Sequence, residues 1–217
     1  RLKYEYGLDL CRPWLAGREV LDVGTGTGLF LNTARDHGFK AMGLELNDLG
    51  VARLREAGFE VIDRPLEEAG LESDCFDLIT LWEVLEHIVE PGRLLLEISR
   101  IIRPQGLLLV LVPNTDSLVT RLLHEKSATF GGHSHVNFFN VSTLGRLLDQ
   151  SGFQIVEAET VITELGTINN HLALEDPYFG RAEPVLDFLS PDLIHDRMLG
   201  SKLLVLARPK ANQESGA

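Results

Sequence analysis

Asp22, the alternating Gly24, Gly26 and Gly28, and Glu45 are residue types that bind small polar ligands, at a spacing that brings them together. The glycines close the run Val20-Leu21-Asp22-Val23-Gly24-Thr25-Gly26-Thr27-Gly28, which passes straight into Leu29-Phe30-Leu31. An apolar strand, a glycine turn and a helix start in that order form a ligand cradle. Glycine permits positive φ and close backbone approach, and the first turn of a helix offers unpaired N–H groups. Two further groups carry chemistry: Glu83-Val84-Leu85-Glu86-His87, and Gly131-Gly132-His133-Ser134-His135.

The spacing narrows the ligand. A dinucleotide fingerprint is G-x-G-x-x-G, but Leu29 occupies its third glycine position, and no G-K-[ST] follows for a triphosphate. Asp22 suits a cation better than a phosphate. Glu45 follows it at roughly the 20-residue interval expected for an acid that accepts from ribose hydroxyls. An acid for a ribose, an acid for a positive group and no phosphate grip together suit S-adenosylmethionine.

Glu83, Glu86 and His87 would lie where a strand ends, and two carboxylates with an imidazole can bind a divalent cation that acidifies a hydroxyl. Alternatively, Glu86 and His87 serve as a helix-start and loop-packing pair; no metal is assigned. His133 and His135 share a side if extended. Either can act as a general base, complete a metal site with Glu83, Glu86 and His87, or bond locally within a loop. His87, His133 and His135 are the candidate catalytic residues. His171 and His195 suit ordinary surface or the mouth of a site.

The elements that must position these groups are legible in the pattern. Apolar strands are expected over 19–23, 40–46, 59–63, 76–81 and 106–112, with helices over 28–37, 49–56 and 93–102. That alternation predicts a parallel sheet covered on both faces. A short helix over 4–14 precedes it. Helices over 116–126 and 143–150, the latter capped by Ser142, and strands over 153–161 and 203–207 follow. Gly38, Gly58, Gly106 and Gly152 are expected to punctuate helix ends or strand starts. Residues 163–199 read as a partly helical insertion over the active-site mouth, within one domain spanning 1–210 and followed by a polar tail over 211–217.

Taken together, these motifs resemble the class I S-adenosylmethionine-dependent methyltransferases. The likeness is greatest to the small-molecule group that includes ubiquinone-pathway O-methyltransferases. It rests on residues 20–28, Gly43-Leu44-Glu45-Leu46, Phe76-Asp77-Leu78-Ile79, Glu83 to His87, and Arg103-Pro104-Gln105-Gly106 with the strand after it. Thr25 stands where many members carry Cys or Ser. The resemblance implies a Rossmann-like α/β fold: a seven-stranded, mostly parallel sheet with its last strand antiparallel. It implies methyl transfer to a small acceptor, oxygen favoured, with S-adenosylhomocysteine as product. Some relatives hold a metal with an E-x-x-E-H cluster. Implied cofactor contacts are Asp22, Gly24, Thr25, Gly26, Gly28, Glu45 and Leu46, with the turn Arg64-Pro65-Leu66 flanking the adenine and Leu81, Trp82 and Glu83 at the methionine end.

Composition agrees. The 217 residues carry a formal charge of -12, against a nucleic-acid or anionic-membrane partner, and are 44% hydrophobic, enough for one sizeable core. Cys11 and Cys75 form no C-x-x-C pair, so a reducing, cytoplasmic setting is expected. A nicotinamide-dependent oxidoreductase and a non-catalytic cofactor-binding subunit are the rival readings.

Overall fold

The computed structural model describes residues 1–130, 134–181 and 183–211. Its elements follow the expected alternation. Helix α1 (Leu2–Cys11) leads into β1 (Glu19–Val23), α2 (Leu29–Asp36), β2 (Lys40–Leu44), α3 (Asp48–Glu56) and β3 (Glu60–Ile62). Then come β4 (Phe76–Trp82), α4 (Pro91–Ile101), β5 (Ile102–Pro113) and α5 (Leu118–Leu123). The chain closes with α6 (Val141–Gln150), β6 (Phe153–Val161), α7 (Leu165–Leu172), α8 (Pro191–Asp196) and β7 (Lys202–Pro209). The seven strands run in the order β3-β2-β1-β4-β5-β7-β6, and β7 is antiparallel to both neighbours. This is the expected sheet.

Side chains alternate across each strand, so each strand feeds two cores. On one face Leu21, Ile79, Leu81 and Val110 pack against α4 and α6 through Leu95, Ile98, Leu144 and Leu148. On the other, Val20, Leu78, Trp82, Leu109 and Leu204 pack against α1 and α2 through Leu8, Cys11 and Phe30. Toward the C-terminal ends of the central strands this second face turns polar: Val20 gives way to Asp22, and Leu78 to Thr80. The fold thus reserves one edge for polar chemistry.

Several local expectations need correction. Gly106 lies inside β5 rather than at its start, because Ile102 already pairs with Phe76 and the register jumps to Leu78 with Leu107. The helix over 116–126 is α5 capped by Ser117, then a 3₁₀ turn at His124–Lys126. The cap of α6 is Asn140, not Ser142: its Oδ1 accepts from Thr143 N at 2.9 Å, and Thr143 Oγ1 accepts from Asn140 N at 2.9 Å. Asn140 has the extended φ/ψ an N-cap requires, whereas Ser142 is already helical. The insertion is partly helical, and Ile168 and Ile194 join Val119 and Leu123 of α5 in a separate small core. The tail beyond residue 211 lies outside the described residues.

Asn140→Ala is expected to destabilise the fold by about 0.5–2 kcal/mol in urea unfolding. Ser142→Ala should leave the midpoint within experimental scatter. The reverse order would show the cap to be misassigned.

Candidate functional site

The C-terminal edge of the sheet gathers most of the sequence-derived candidates. The loop after β1 is pinned to the end of β2, since Gly24 N and Thr25 N both donate to Leu44 O, at 2.9 and 3.0 Å. Gly26 has φ +53 and would meet nothing within 4 Å if it carried a Cβ. Its left-handed backbone requires glycine, and the space above it is open. Gly28 has φ +76, and a Cβ there would sit 2.4 Å from Leu54 Cδ2, so glycine also lets α2 approach α3.

Glu45 takes a form that sequence alone did not indicate. Its Oε2 accepts from Gly26 N at 2.8 Å, and its Oε1 accepts from Leu46 N and Asn47 N at 2.9 Å each. One carboxylate thereby ties the loop after β1 to the loop after β2. A carboxylate offers about four lone-pair positions, so this bracing still leaves an acceptor for a ligand hydroxyl.

Asp22 is buried and accepts from Thr80 Oγ1 at 2.6 Å. Burial pushes its pKa up to about 7, against the opposing pull of the Thr80 and Thr25 hydroxyls. Near neutrality it is poised between charge states, and a cation placed beside it would favour the carboxylate.

Two cavities flank this edge on opposite faces. One of about 370 Å³ lies on the α4 face and brings together Leu46, Pro65 and Leu66 with Val23, Leu44 and Ile88. Pro65 and Leu66 were expected beside the adenine, and Leu46 among the cofactor contacts. Ile88, Arg93 and Leu94 also line it and were missed; Pro91, which starts α4 there, was the available signal. The second, of about 610 Å³, lies on the α1 face beside Trp82.

At the end of β4 the candidates separate. Leu81 is fully buried in the core, so only its main chain can reach a ligand. Trp82 packs edge-on against Tyr4, with ring centroids 4.9 Å apart, and against Phe30 at 5.6 Å. Glu83 turns sharply, at φ +61, and its carboxylate pairs with Lys3 Nζ at 3.0 Å and with Lys202 Nζ. Half-burial alone would raise its pKa, but the two lysines hold it below the usual carboxylate range.

Glu83 therefore does not join Glu86, although the E-x-x-E-H spacing suggested a shared site. Glu86 instead gathers with His87 and His135, with one ligand atom from each lying within 4.8 Å of the others. The chain over 134–137 folds onto the turn Leu85–His87, where Val136 N and Asn137 N both donate to Glu86 O, at 2.8 and 3.1 Å. His87 Nδ1 lies 3.0 Å from Ser134 O, and His135 Nδ1 lies 3.0 Å from Thr129 O. A carbonyl oxygen only accepts, so each ring donates through Nδ1, and the lone pair of the neutral imidazole lies on Nε2. Glu86 is buried, its Oε2 has no partner among the described residues, and burial raises its pKa. His133 lies outside the described residues. Phe139 is buried, while Phe130 and Phe138 stack on each other at the surface, 5.4 Å apart.

Residues 8–158 match the family model of a methyltransferase domain. The ubiquinone biosynthesis O-methyltransferase of Methylococcus capsulatus is 29% identical over 161 residues, covering 68% of each chain. That of Aeromonas salmonicida is 27% identical, covering 65% of each chain. The chain thus spans about two thirds of the length of these curated relatives. Among solved structures, a Haloferax volcanii methyltransferase in complex with the Trm112 activator superposes with TM-score 0.68 at 16% identity, over 97% of this chain and 91% of that one. The 1,6-didemethyltoxoflavin-N1-methyltransferase of Burkholderia thailandensis, solved with S-adenosylhomocysteine, gives 0.65 at 17% identity, over 96% and 78%. These matches leave no place for the nicotinamide reading.

The sign of the Asp22 effect is fixed by its raised pKa. Between about pH 4 and 7 the folded state keeps a proton that the unfolded chain has released. Stability is therefore greatest below that window and falls through it, by at most about 1.4 kcal/mol per pH unit from this group. Asp22→Asn should remove this slope, so its melting temperature relative to the parent rises from pH 4 to pH 8. A constant difference across that range would refute the burial argument.

Proposed function

The chain belongs to the methyltransferase-domain family and uses S-adenosylmethionine, and from that premise we propose that it methylates an oxygen of a small-molecule acceptor. The observation that carries the oxygen reading is Glu86, His87 and His135 at the end of β4. A hydroxyl must lose a proton to accept a methyl group, and two imidazoles with free Nε2 lone pairs supply the acceptor for it. The names of the curated relatives support the same choice.

The sulfonium donor supplies an electrophilic methyl and departs as a neutral thioether, so the protein mainly aligns the partners and excludes water. Glu45 would accept from the ribose hydroxyls, and Leu46, Pro65 and Leu66 would enclose the adenine. Asp22 would face the cationic amino end, with Gly24, Thr25, Gly26 and Gly28 giving main-chain access. Trp82, Glu83 and the Leu81 main chain would border the methionine end. His87 or His135 would take the acceptor's proton at Nε2; His133, the third candidate, lies outside the described residues.

The unpartnered Oε2 of Glu86 favours a second reading of the same groups, in which they hold a divalent cation. Both imidazoles bond a carbonyl through Nδ1, as metal-binding histidines do through their second nitrogen. Such a cation would lower the pKa of a bound hydroxyl. Two nitrogens and one oxygen suit Mn²⁺ or Zn²⁺ better than Ca²⁺ or Mg²⁺.

We place the acceptor among small molecules rather than nucleic acids, because the chain is strongly acidic. No helix of the described residues is long and apolar enough to cross a membrane. Cys11 and Cys75 are both free, which supports a cytoplasmic setting. Residues 1–210 are taken as one domain, with 163–199 as a lid over the acceptor.

Glu45→Ala should weaken S-adenosylhomocysteine binding by about 1–3 kcal/mol in titration calorimetry, through lost charged hydrogen bonds and a released loop. His87→Ala and His135→Ala should lower kcat while sparing that affinity. Chelation discriminates the two roles. Turnover that falls with EDTA and returns with Mn²⁺ marks a cation site, and turnover indifferent to EDTA marks the imidazoles as the base.

A further inference from the structure

Tyr178 belongs to the insertion over 163–199, yet a continuous run of hydrogen bonds joins its phenol to the His135 ring. His135 Nδ1 donates to Thr129 O at 3.0 Å. The peptide unit that holds this carbonyl donates through Phe130 N to Ser127 O at 2.9 Å. The unit that holds Ser127 O donates through Ala128 N to Tyr178 Oη at 2.7 Å. The phenol in turn donates to Lys126 O at 3.0 Å.

Every donor in this run points the same way, from imidazole to phenol. A peptide unit that donates at its N–H becomes a better acceptor at its carbonyl, so aligned bonds strengthen one another. Tyr178 therefore acts at a distance: its oxygen takes the Ala128 N–H, and the gain is felt at Thr129 O. That carbonyl decides which nitrogen of His135 carries the proton. A free imidazole side chain favours Nε2–H, with its lone pair on Nδ1; a carbonyl held at Nδ1 reverses this and leaves the lone pair on Nε2.

The phenol is held for this role. Asp176 Oδ1 accepts from Tyr178 N and Phe179 N, at 2.9 and 3.1 Å, and Gly180 N closes the turn on Asp176 O at 2.9 Å. Tyr178 is 43% exposed and Phe179 beside it 90%, so the ring turned inward is the one with a hydroxyl to place. Thr120 and Ser127 steady the same loop from α5, but their hydroxyls bond side chains and the Thr129 N–H, not the Thr129 carbonyl.

We infer that Tyr178 is a positioning residue for His135: its hydroxyl anchors the run that keeps the imidazole protonated on Nδ1, so that the seated insertion prepares the base. The inference rests on the reading of His135 as a group that takes the acceptor's proton, and adds to it the residue that readies that group.

The test needs no acceptor and uses the full chain labelled uniformly with ¹⁵N, with the His135 and His87 signals assigned through His135→Gln and His87→Gln. Tyr178→Phe keeps the ring and removes the hydroxyl. In the parent, the imidazole nitrogen shifts should show neutral His135 with its proton on Nδ1. In the variant the Nδ1–H fraction should fall by about half, while His87, which donates to Ser134 O instead, keeps its tautomer. Exchange of the Ala128 amide hydrogen should quicken by about tenfold or more. A folded variant with His135 nitrogen shifts as in the parent overturns the inference, and so does a change of equal size at His87, which marks general loosening. If the variant does not fold, the parent decides: His135 protonated on Nε2, or an Ala128 amide that exchanges like an open loop, overturns it. Undiminished kcat in His135→Ala is a different result: it overturns the base reading, and the nitrogen shifts still decide the role of Tyr178.

Discussion

Three main-chain N–H groups from two loops converge on the Glu45 carboxylate, and the geometry of the whole edge depends on that convergence. The glycine loop after β1 has few side chains with which to hold itself. Without an acceptor for Gly26 N its left-handed backbone would have little reason to persist. Charged hydrogen bonds are roughly twice as strong as neutral ones, so one carboxylate at the end of β2 can order a loop that begins in a different strand. The same group is the one a ribose would approach. Bracing and recognition therefore draw on the same lone pairs, and a bound sugar enters a network that is already formed.

Three other acids stand along this edge in three different electrostatic settings. Asp22 is buried beside the Thr80 hydroxyl, and its pKa rises to about 7. Glu83 is flanked by two lysines and stays ionised. Glu86 is buried against imidazoles, with one oxygen unpartnered among the described residues and its pKa raised. Environment, not residue type, divides them: one is poised to respond to a cation, one is neutralised in place, and one still lacks a partner. Carboxyl groups with contrasting surroundings at one site can take different roles.

The sheet was legible because its signals are local. Alternating apolar runs and glycines gave β1 and β6 with the same limits as the structure, and the C-terminal edge followed from the parallel order. Glu83 was not legible, because its partners Lys3 and Lys202 lie 80 and 119 residues away in the chain. Spacing placed it with Glu86; the left-handed turn at Glu83 and the two distant ammonium groups took it elsewhere. The α6 cap failed on a smaller scale. Asn140 and Ser142 are both good caps, and only the backbone conformation distinguishes them. Leu81 and Trp82 face opposite sides of the sheet, Leu81 in the core against α4 and Trp82 in the core against α1, so of Leu81 only the main chain is left to a ligand.

His135 reaches the site for a reason that sequence spacing cannot express. The residue types suggested a H-x-H pair joining His87, 48 positions earlier than His135, but not which contacts would bring them together. The contact is made by main chain: Glu86 O accepts from Val136 N and Asn137 N, while Asn137 Nδ2 donates to Leu85 O and Ile88 O, at 3.3 and 2.5 Å. Asn137 thus fastens the later segment to the turn after β4. The two rings are then left 4.9 Å apart, edge to face. A residue with no chemistry of its own fixes the distance between the two that have it, and the acid–imidazole cluster is a consequence of that amide.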